Sequence, residues 1–162
     1  MRIGQGFDAH RLVPDRPLRL GGVLIPHDHG LEGHSDGDVL LHVVATSIFG
    51  ALGEGDLGQH FPSSDPGLEG MDSGDLVARA CGLMGERGFR IGNLDCTVIA
   101  QAPRLSPHQA AMQQGIARLL GCEAGRINVK VTSTDHLGAI GRGEGIAAMG
   151  VVLLEADSPD PE

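Results

Sequence analysis

Apolar positions along the chain fall into blocks whose spacing separates strands from helices. Over residues 2–10, Ile3, Phe7 and Ala9 project to one side and Asp8 and His10 to the other, which predicts a strand. Residues 17–25 read as two short strands around the turn Gly21-Gly22. The next stretch, His27 to Asp38, is too rich in Gly, Asp and His to bury. From Val39 to Phe49 the chain is apolar nearly all round, which predicts a buried helix with Asp38 as its N-cap. Residues 53–71 form a long Gly/Pro/Asp/Ser loop, and loops of that length usually carry function. A second helix starts at Asp72 or Ser73, turns Leu76, Val77, Ala80, Leu83 and Met84 inward and stops at Gly88.

Residues 91–101 alternate as a strand. Ser106-Pro107 opens a third helix with Met112, Ile116, Leu119 and Leu120 on one stripe and Gly121 just past its end. Arg126–Thr134 is again a strand, so residues 91–134 predict a parallel β-α-β crossover. The final strand, Ile146–Glu155, is apolar on both faces; one face lies under helices, and the other needs a second cover that points to a subunit interface. The expected fold is α/β: one domain over residues 1–156 with a mixed sheet and helices on one face. The acidic tail 157–162 is expected to be disordered.

Composition narrows the function. The net charge is −9, without any Lys/Arg run, and the only aromatic residues are four phenylalanines. A nucleic-acid binder needs a basic footprint, usually with stacking platforms, and a membrane-surface protein needs basic patches. Neither partner is expected here. No segment approaches the ~20 apolar residues of a membrane span. Cys81, Cys96 and Cys122 lack ligand spacing and read as buried thiols in a reducing cytoplasm. Six of the eight histidines and eight acidic residues lie in the first 60 residues, which points there for metal chemistry.

Two familiar motifs fail on context. Gly4-x-Gly6-x-x-Ala9 has only three residues before it and opens no helix, unlike a dinucleotide fingerprint. Gly33-His34-Ser35-Asp36-Gly37 fits a serine-hydrolase elbow, but no buried strand leads into it. Two constellations survive. Asp8 and His10 share a strand face, and His42 sits early in the apolar helix, where an imidazole must find a partner. One carboxylate and two imidazoles would leave a tetrahedral metal's fourth position open; a capped strand end beside a hydrogen-bonded core histidine is the plainer reading. Thr132-Ser133-Thr134-Asp135 leads into a loop with four glycines around Arg142. That loop is either an anion cradle or a hairpin with a solvated Arg142–Glu144 pair.

Six motifs follow one another with compatible spacing: Gly4-x-Gly6-Phe7-Asp8-x-His10; His34-Ser35-Asp36-Gly37-Asp38 with His42; Gly55-Asp56-Leu57-Gly58; Phe61-Pro62; Ala100-Gln101-Ala102-Pro103; and Gly141-Arg142-Gly143-Glu144-Gly145. Together, over residues 1 to about 155, they make the chain resemble the 2-C-methyl-D-erythritol 2,4-cyclodiphosphate synthases. The resemblance implies a homotrimer with sheets around the threefold axis and active sites between subunits. It implies a cytoplasmic lyase of non-mevalonate isoprenoid biosynthesis. Such an enzyme converts 4-diphosphocytidyl-2-C-methyl-D-erythritol 2-phosphate to the cyclic diphosphate and CMP, the 2-phosphate attacking the β-phosphorus.

By position, the resemblance makes Asp8, His10 and His42 ligands of Zn²⁺, whose fourth site takes a β-phosphate oxygen. His34 and Ser35 fall at the 2-phosphate, with His34 and Ser133 as catalytic stabilisers. Asp56, Leu57 and Gly58, then Phe61, Pro62, Ser63, Ser64 and Asp65, fall in the methylerythritol pocket. Ala100, Gln101, Ala102, Pro103, Arg104, Leu105 and Ser106 fall on the cytidine side. Thr132, Ser133, Thr134 and Asp135 fall at the diphosphate, with Asp135 a candidate ligand for Mg²⁺ or Mn²⁺. Ala139 and Arg142 complete the set, Arg142 as a phosphate contact near the trimer axis. Four positions depart from the family pattern: Ser133 for threonine, Asp135 for glutamate, Arg104 for lysine and Ala139 for phenylalanine. The alternatives to this activity are a metal-dependent phosphohydrolase on the same triad and a non-enzymatic metal- or anion-binding oligomer.

Overall fold

The structure is a computed structural model that describes residues 1–62 and 70–157. Five strands form one mixed sheet in the order β4-β1-β7-β5-β6. These are β1 (Arg2–Pro14), β4 (His29–Leu31), β5 (Phe89–Ile99), β6 (Ile127–Thr132) and β7 (Gly145–Ala156). β7 is central and antiparallel to both β1 and β5. β5 and β6 run parallel from Leu94↔Ile127 to Ile99↔Thr132, as the crossover predicts. A separate hairpin joins β2 (Leu18–Leu20) to β3 (Val23–Ile25). Its turn residues Gly21 and Gly22 have φ of 61° and 76°, the left-handed pair that a tight hairpin turn requires.

The helices are α1 (Val39–Leu52), α2 (Leu57–His60), α3 (Ser73–Glu86), α4 (Gln109–Leu120) and α5 (Gly138–Gly141). α1 is the core: twelve of its fourteen residues are buried, from Val39 to Leu52. Asp38 caps it by accepting from the Leu41 N–H at 3.0 Å. The same carboxylate also accepts from the amides of Gly21 (2.9 Å) and Gly22 (2.7 Å), tying the β2–β3 turn to the helix start. Burial pushes the Asp38 pKa up, and those three backbone N–H groups pull against it.

α1 lies against β1 more closely than side chains would allow. A Cβ on Gly4 would meet the Ser47 carbonyl oxygen at 1.9 Å, and one on Gly6 would meet that of Val43 at 2.5 Å. The glycine side of β1 therefore faces the helix, and the apolar side that a strand pattern usually buries is turned away. Ile3 is 71% exposed and Phe7 61%, beside Met149 and Val151 of β7. The other side of β7, with Ile146, Ala148, Val152 and Leu154, is buried.

Other differences from the sequence reading are local. β1 runs on to Pro14 because Leu12–Pro14, beyond the reach of β7, pair with Leu31–His29. That pairing makes a strand of His29–Leu31 and buries Gly30 and Leu31, inside the stretch expected to be too rich in Gly, Asp and His to bury. The loop after α1 contains α2, capped by the Asp56 carboxylate on the Gln59 N–H at 3.0 Å. The glycine-rich segment after β6 holds the single turn α5 rather than a plain loop. Gly141 fits there because a Cβ would meet the His136 carbonyl carbon at 2.2 Å. Among the described residues, no helix is long and apolar enough to cross a membrane.

Candidate metal centre and substrate cleft

Asp8 and His10, two apart on β1, point from the same face as Gly4 and Gly6. Because α1 is seated on those glycines, His42 in its second turn reaches down to the pair. Asp8 Oδ2 lies 2.8 Å from His10 Nε2 and 3.0 Å from His42 Nδ1, and the two ring nitrogens are 3.1 Å apart. A tetrahedral zinc with bonds of about 2.0–2.1 Å separates its ligands by about 3.3 Å, so the triangle is nearly metal-sized. His42 is buried, and Asp8 and His10 are half-buried.

The nitrogen of each ring that faces away from the triangle is also held. His10 Nδ1–H donates to the Glu32 carbonyl, and Ser35 Oγ lies 2.9 Å from His42 Nε2. Such partners fix ring orientation and tautomer, as the outer shell of a metal site does. His42 Nδ1 lies 3.0 Å from the Asp8 carboxylate, donating to it when protonated and offering a lone pair when the proton sits on Nε2. In the second tautomer two lone pairs converge on the place a cation would take. Burial opposes the charge on Asp8, but hydrogen bonds from His10 and His42 hold its pKa well below the usual carboxylate range. Burial likewise opposes charging of His10, but its bond to Asp8 raises its pKa above 6.5. The residues fit a divalent metal with three protein ligands and one side open.

A second cluster, His27, Asp28 and His29, contrasts with it. Asp28 Oδ1 sits 2.9 Å from His29 Nδ1 and 3.4 Å from His27 Nδ1. The carboxylate is largely exposed, and among the described residues no hydrogen bond holds either ring's other nitrogen.

The open side of the triangle faces a cleft of about 190 Å³ lined by His10, Gly33, His34, Ser35, His42, Leu57, Phe61, Pro62, Met71 and Leu76. The structure thus brings the metal triad, His34, Ser35, Leu57, Phe61 and Pro62 to one place. Asp56, the N-cap of α2, and Gly58 on α2 do not line it. Ser63, Ser64 and Asp65 lie outside the described residues, as does the tail 158–162. His60, unassigned by sequence, stacks on the buried Phe49 ring at 3.9 Å and bonds the Glu54 carbonyl at 2.9 Å, which anchors the wall.

The other expected residues gather elsewhere. Ala100, Gln101, Pro103, Arg104, Leu105, Ser106, Thr132 and Ser133 line a groove of about 300 Å³ at the carboxyl ends of β5 and β6. It shares no lining residue with the metal cleft. Gln101 spans its two loops by accepting from the His136 N–H at 3.1 Å. Ala102 is exposed at its edge, and Thr134 Oγ1 donates to the Leu137 carbonyl at 2.7 Å. Asp135, with φ of 49°, sits 3.3 Å from Ser133 Oγ. Ala139 is exposed on α5, and Arg142 pairs with Glu144 at 2.6 Å with both side chains mostly in solvent. Sequence reasoning missed Met71, Leu76 and the Glu32 carbonyl; a backbone acceptor leaves no residue-type signal.

The chain matches the YgbB family model over residues 1–155. It is 56% identical over 155 residues to the 2-C-methyl-D-erythritol 2,4-cyclodiphosphate synthase of Geotalea uraniireducens, covering 96% of this chain and 99% of that one. Among solved structures it is similar to the bifunctional IspDF of Campylobacter jejuni, with a TM-score of 0.92 and 43% identity. That match covers 96% of this chain and 42% of the bifunctional one. It is also similar to a CDP complex of IspF from Plasmodium falciparum, with a TM-score of 0.85 and 34% identity over 97% of each chain.

Proposed function

The chain belongs to the YgbB family, and from that premise we propose that it converts 4-diphosphocytidyl-2-C-methyl-D-erythritol 2-phosphate to 2-C-methyl-D-erythritol 2,4-cyclodiphosphate and CMP. The observation that carries this reading is the Asp8–His10–His42 triangle with both outer ring nitrogens held and one side open to a cleft. A divalent ion held there, Zn²⁺ by its two-imidazole, one-carboxylate donor set, supplies Lewis-acid polarisation of a phosphoryl oxygen and a template for the diphosphate.

The chain's own residues do the positioning. His34 and the Ser35 hydroxyl, on the segment over the metal triangle, take the 2-phosphate and hold it towards the β-phosphorus. Leu57, Phe61 and Pro62 form an apolar wall that seats the methylerythritol carbon skeleton and excludes water, which would otherwise hydrolyse the same centre. Phosphoryl transfer needs placement and charge neutralisation more than a protein nucleophile. With nucleophile and electrophile in one substrate the attack is unimolecular, and a good near-attack pose supplies several kcal/mol.

The groove along Ala100–Ser106 and Thr132–Ser133 takes the cytidine diphosphate end, with Ser133 against the phosphates and Asp135 placed for Mg²⁺ or Mn²⁺. Metal cleft and nucleotide groove share no lining residue on one chain, which supports a complete site built from two copies. The open apolar face around Ile3, Phe7, Met149 and Val151 supports a homotrimer closed on that face. Residues 1–156 then act as one catalytic domain of a cytoplasmic enzyme.

Incubation with the cytidine-linked substrate, with and without chelator, followed by mass analysis tests the reading. Cyclic diphosphate and CMP in equal amounts, lost with chelator, are expected. Open-chain phosphates would replace it with a phosphohydrolase, and bound metal without turnover would leave a binding protein.

A further inference from the structure

We infer that Arg16 is a positioning residue for the metal cleft: its guanidinium clamps the 33–35 segment from behind and so sets both His34 and the hydroxyl that holds His42. The inference rests on the cleft's role proposed above, although part of its test does not.

Arg16 is delivered by local backbone geometry. β1 ends at Pro14, and Asp15 turns the chain with φ of 60°. The Arg16 and Pro17 carbonyls then pass so close to Gly30 of β4 that a Cβ there would meet them at 2.6 and 2.4 Å. The Arg16 stem therefore starts from a backbone pinned beside β4, one strand end away from the cleft. Its Nη1 donates to the Gly33 carbonyl at 3.1 Å and its Nη2 to the Ser35 carbonyl at 2.9 Å. One planar group thus holds the carbonyls on either side of His34, whose side chain is left lining the cleft.

The consequence reaches the metal ligands by two routes. Ser35 Oγ, carried on the clamped residue, is the partner of His42 Nε2 at 2.9 Å and also accepts from the Gly37 N–H at 3.1 Å. The Glu32 carbonyl, next to clamped Gly33, is the partner of His10 Nδ1. Segment 32–35 therefore steadies both imidazoles, and Arg16 holds that segment at two of its carbonyls. A lysine would keep the charge but could not span both carbonyls with one rigid fork. Other bonds hold its flanks and the His34 carbonyl: Glu32 N–H donates to the Arg11 carbonyl at 2.8 Å, Asp36 N–H to the Met71 carbonyl at 3.1 Å and Gly70 N–H to the His34 carbonyl at 2.6 Å. Among the described residues, Arg16 alone bridges the carbonyls of Gly33 and Ser35.

The test uses the intact protein and the variants Arg16→Ala and Arg16→Lys. In Arg16→Ala, kcat is expected to fall about 10- to 100-fold, since displacement of a catalytic group by ~1 Å costs that much, while KM changes less than about threefold. Zn²⁺ affinity, measured by chelator competition without substrate, is expected to weaken by up to about tenfold, the lower limit for loss of a direct outer-shell partner. The Gly37 amide should exchange faster in the metal-free protein. Arg16→Lys should be impaired alike, and millimolar guanidinium should restore part of the activity of Arg16→Ala. Wild-type kcat and Zn²⁺ affinity in Arg16→Ala, or full activity in Arg16→Lys, would overturn the clamp. Should Arg16→Ala fail to fold, Arg16→Lys decides by the same two readouts. If the wild-type protein does not cyclise the cytidine-linked substrate, the proposed reaction fails. Zn²⁺ affinity and Gly37 exchange then decide the clamp by themselves: unchanged values overturn it.

Discussion

Ser35 Oγ lies 2.9 Å from Nε2 of His42, on the side of the ring opposite the Asp8 carboxylate. The hydroxyl holds the ring so that Nδ1 is turned towards Asp8 as the ligating atom. Ser35→Ala should weaken Zn²⁺ binding about 10- to 100-fold, the usual effect of losing an outer-shell partner. His42→Ala, by contrast, should abolish stoichiometric metal while leaving the fold in place. Metal content by elemental analysis and affinity by chelator competition check both; full zinc in His42→Ala would remove it from the ligand set.

Acidity should separate the metal-free from the metal-loaded protein. The His10 pKa is raised above 6.5, so its pairing with Asp8 stabilises the metal-free protein fully below about pH 6.5 and less as pH rises through the raised value. The Asp8 pKa is lowered from 3.8, so its contribution is present above that pH and lost only as pH falls through the depressed value. Metal must displace the His10 Nε2 proton. Added Zn²⁺ should therefore raise the unfolding temperature little near pH 5.5 and much more near pH 8. An equal shift at both pH values in a thermal melt would contradict His10 as a ligand.

Gly6→Ala should damage stability and metal binding together. Its Cβ would meet the Val43 carbonyl at 2.5 Å and Ser47 Oγ at 2.8 Å, so α1 must lift from β1 and carry His42 with it. Overpacking of this kind costs about 3 kcal/mol. Denaturant melts and Zn²⁺ titration read the two effects; a variant that loses stability but keeps full affinity would show that His42 does not depend on that contact.

Asp38→Ala should destabilise by about 3–5 kcal/mol. It removes an N-cap, worth about 1 kcal/mol, and orphans the Gly21 and Gly22 amides, at about 1–2 kcal/mol each. Urea unfolding measures the total, and a loss under 1 kcal/mol would mean that water replaces the carboxylate.

The sequence by itself determined the elements whose signal is local. α1 is legible because an apolar run follows an acidic cap, the β2–β3 hairpin because two glycines admit left-handed φ, and the parallel β5–β6 pair because a helix separates two strands. It also named Asp8, His10 and His42, since two apart on a strand and early in a helix are spacings a reader can project. Only the tertiary structure decided which face of β1 is covered. There the usual rule inverts, because glycine lets a helix backbone come closer than Ile3 or Phe7 would, and contact distance outweighs hydropathy. β4 and the carbonyls of Glu32, Gly33 and Ser35 were likewise invisible, since backbone pairing carries no residue-type signature. The separation of the cleft at His10 and His42 from the groove along Ala100–Ser106 and Thr132–Ser133 also had to be seen, because sequence order says nothing about which loops close on one another.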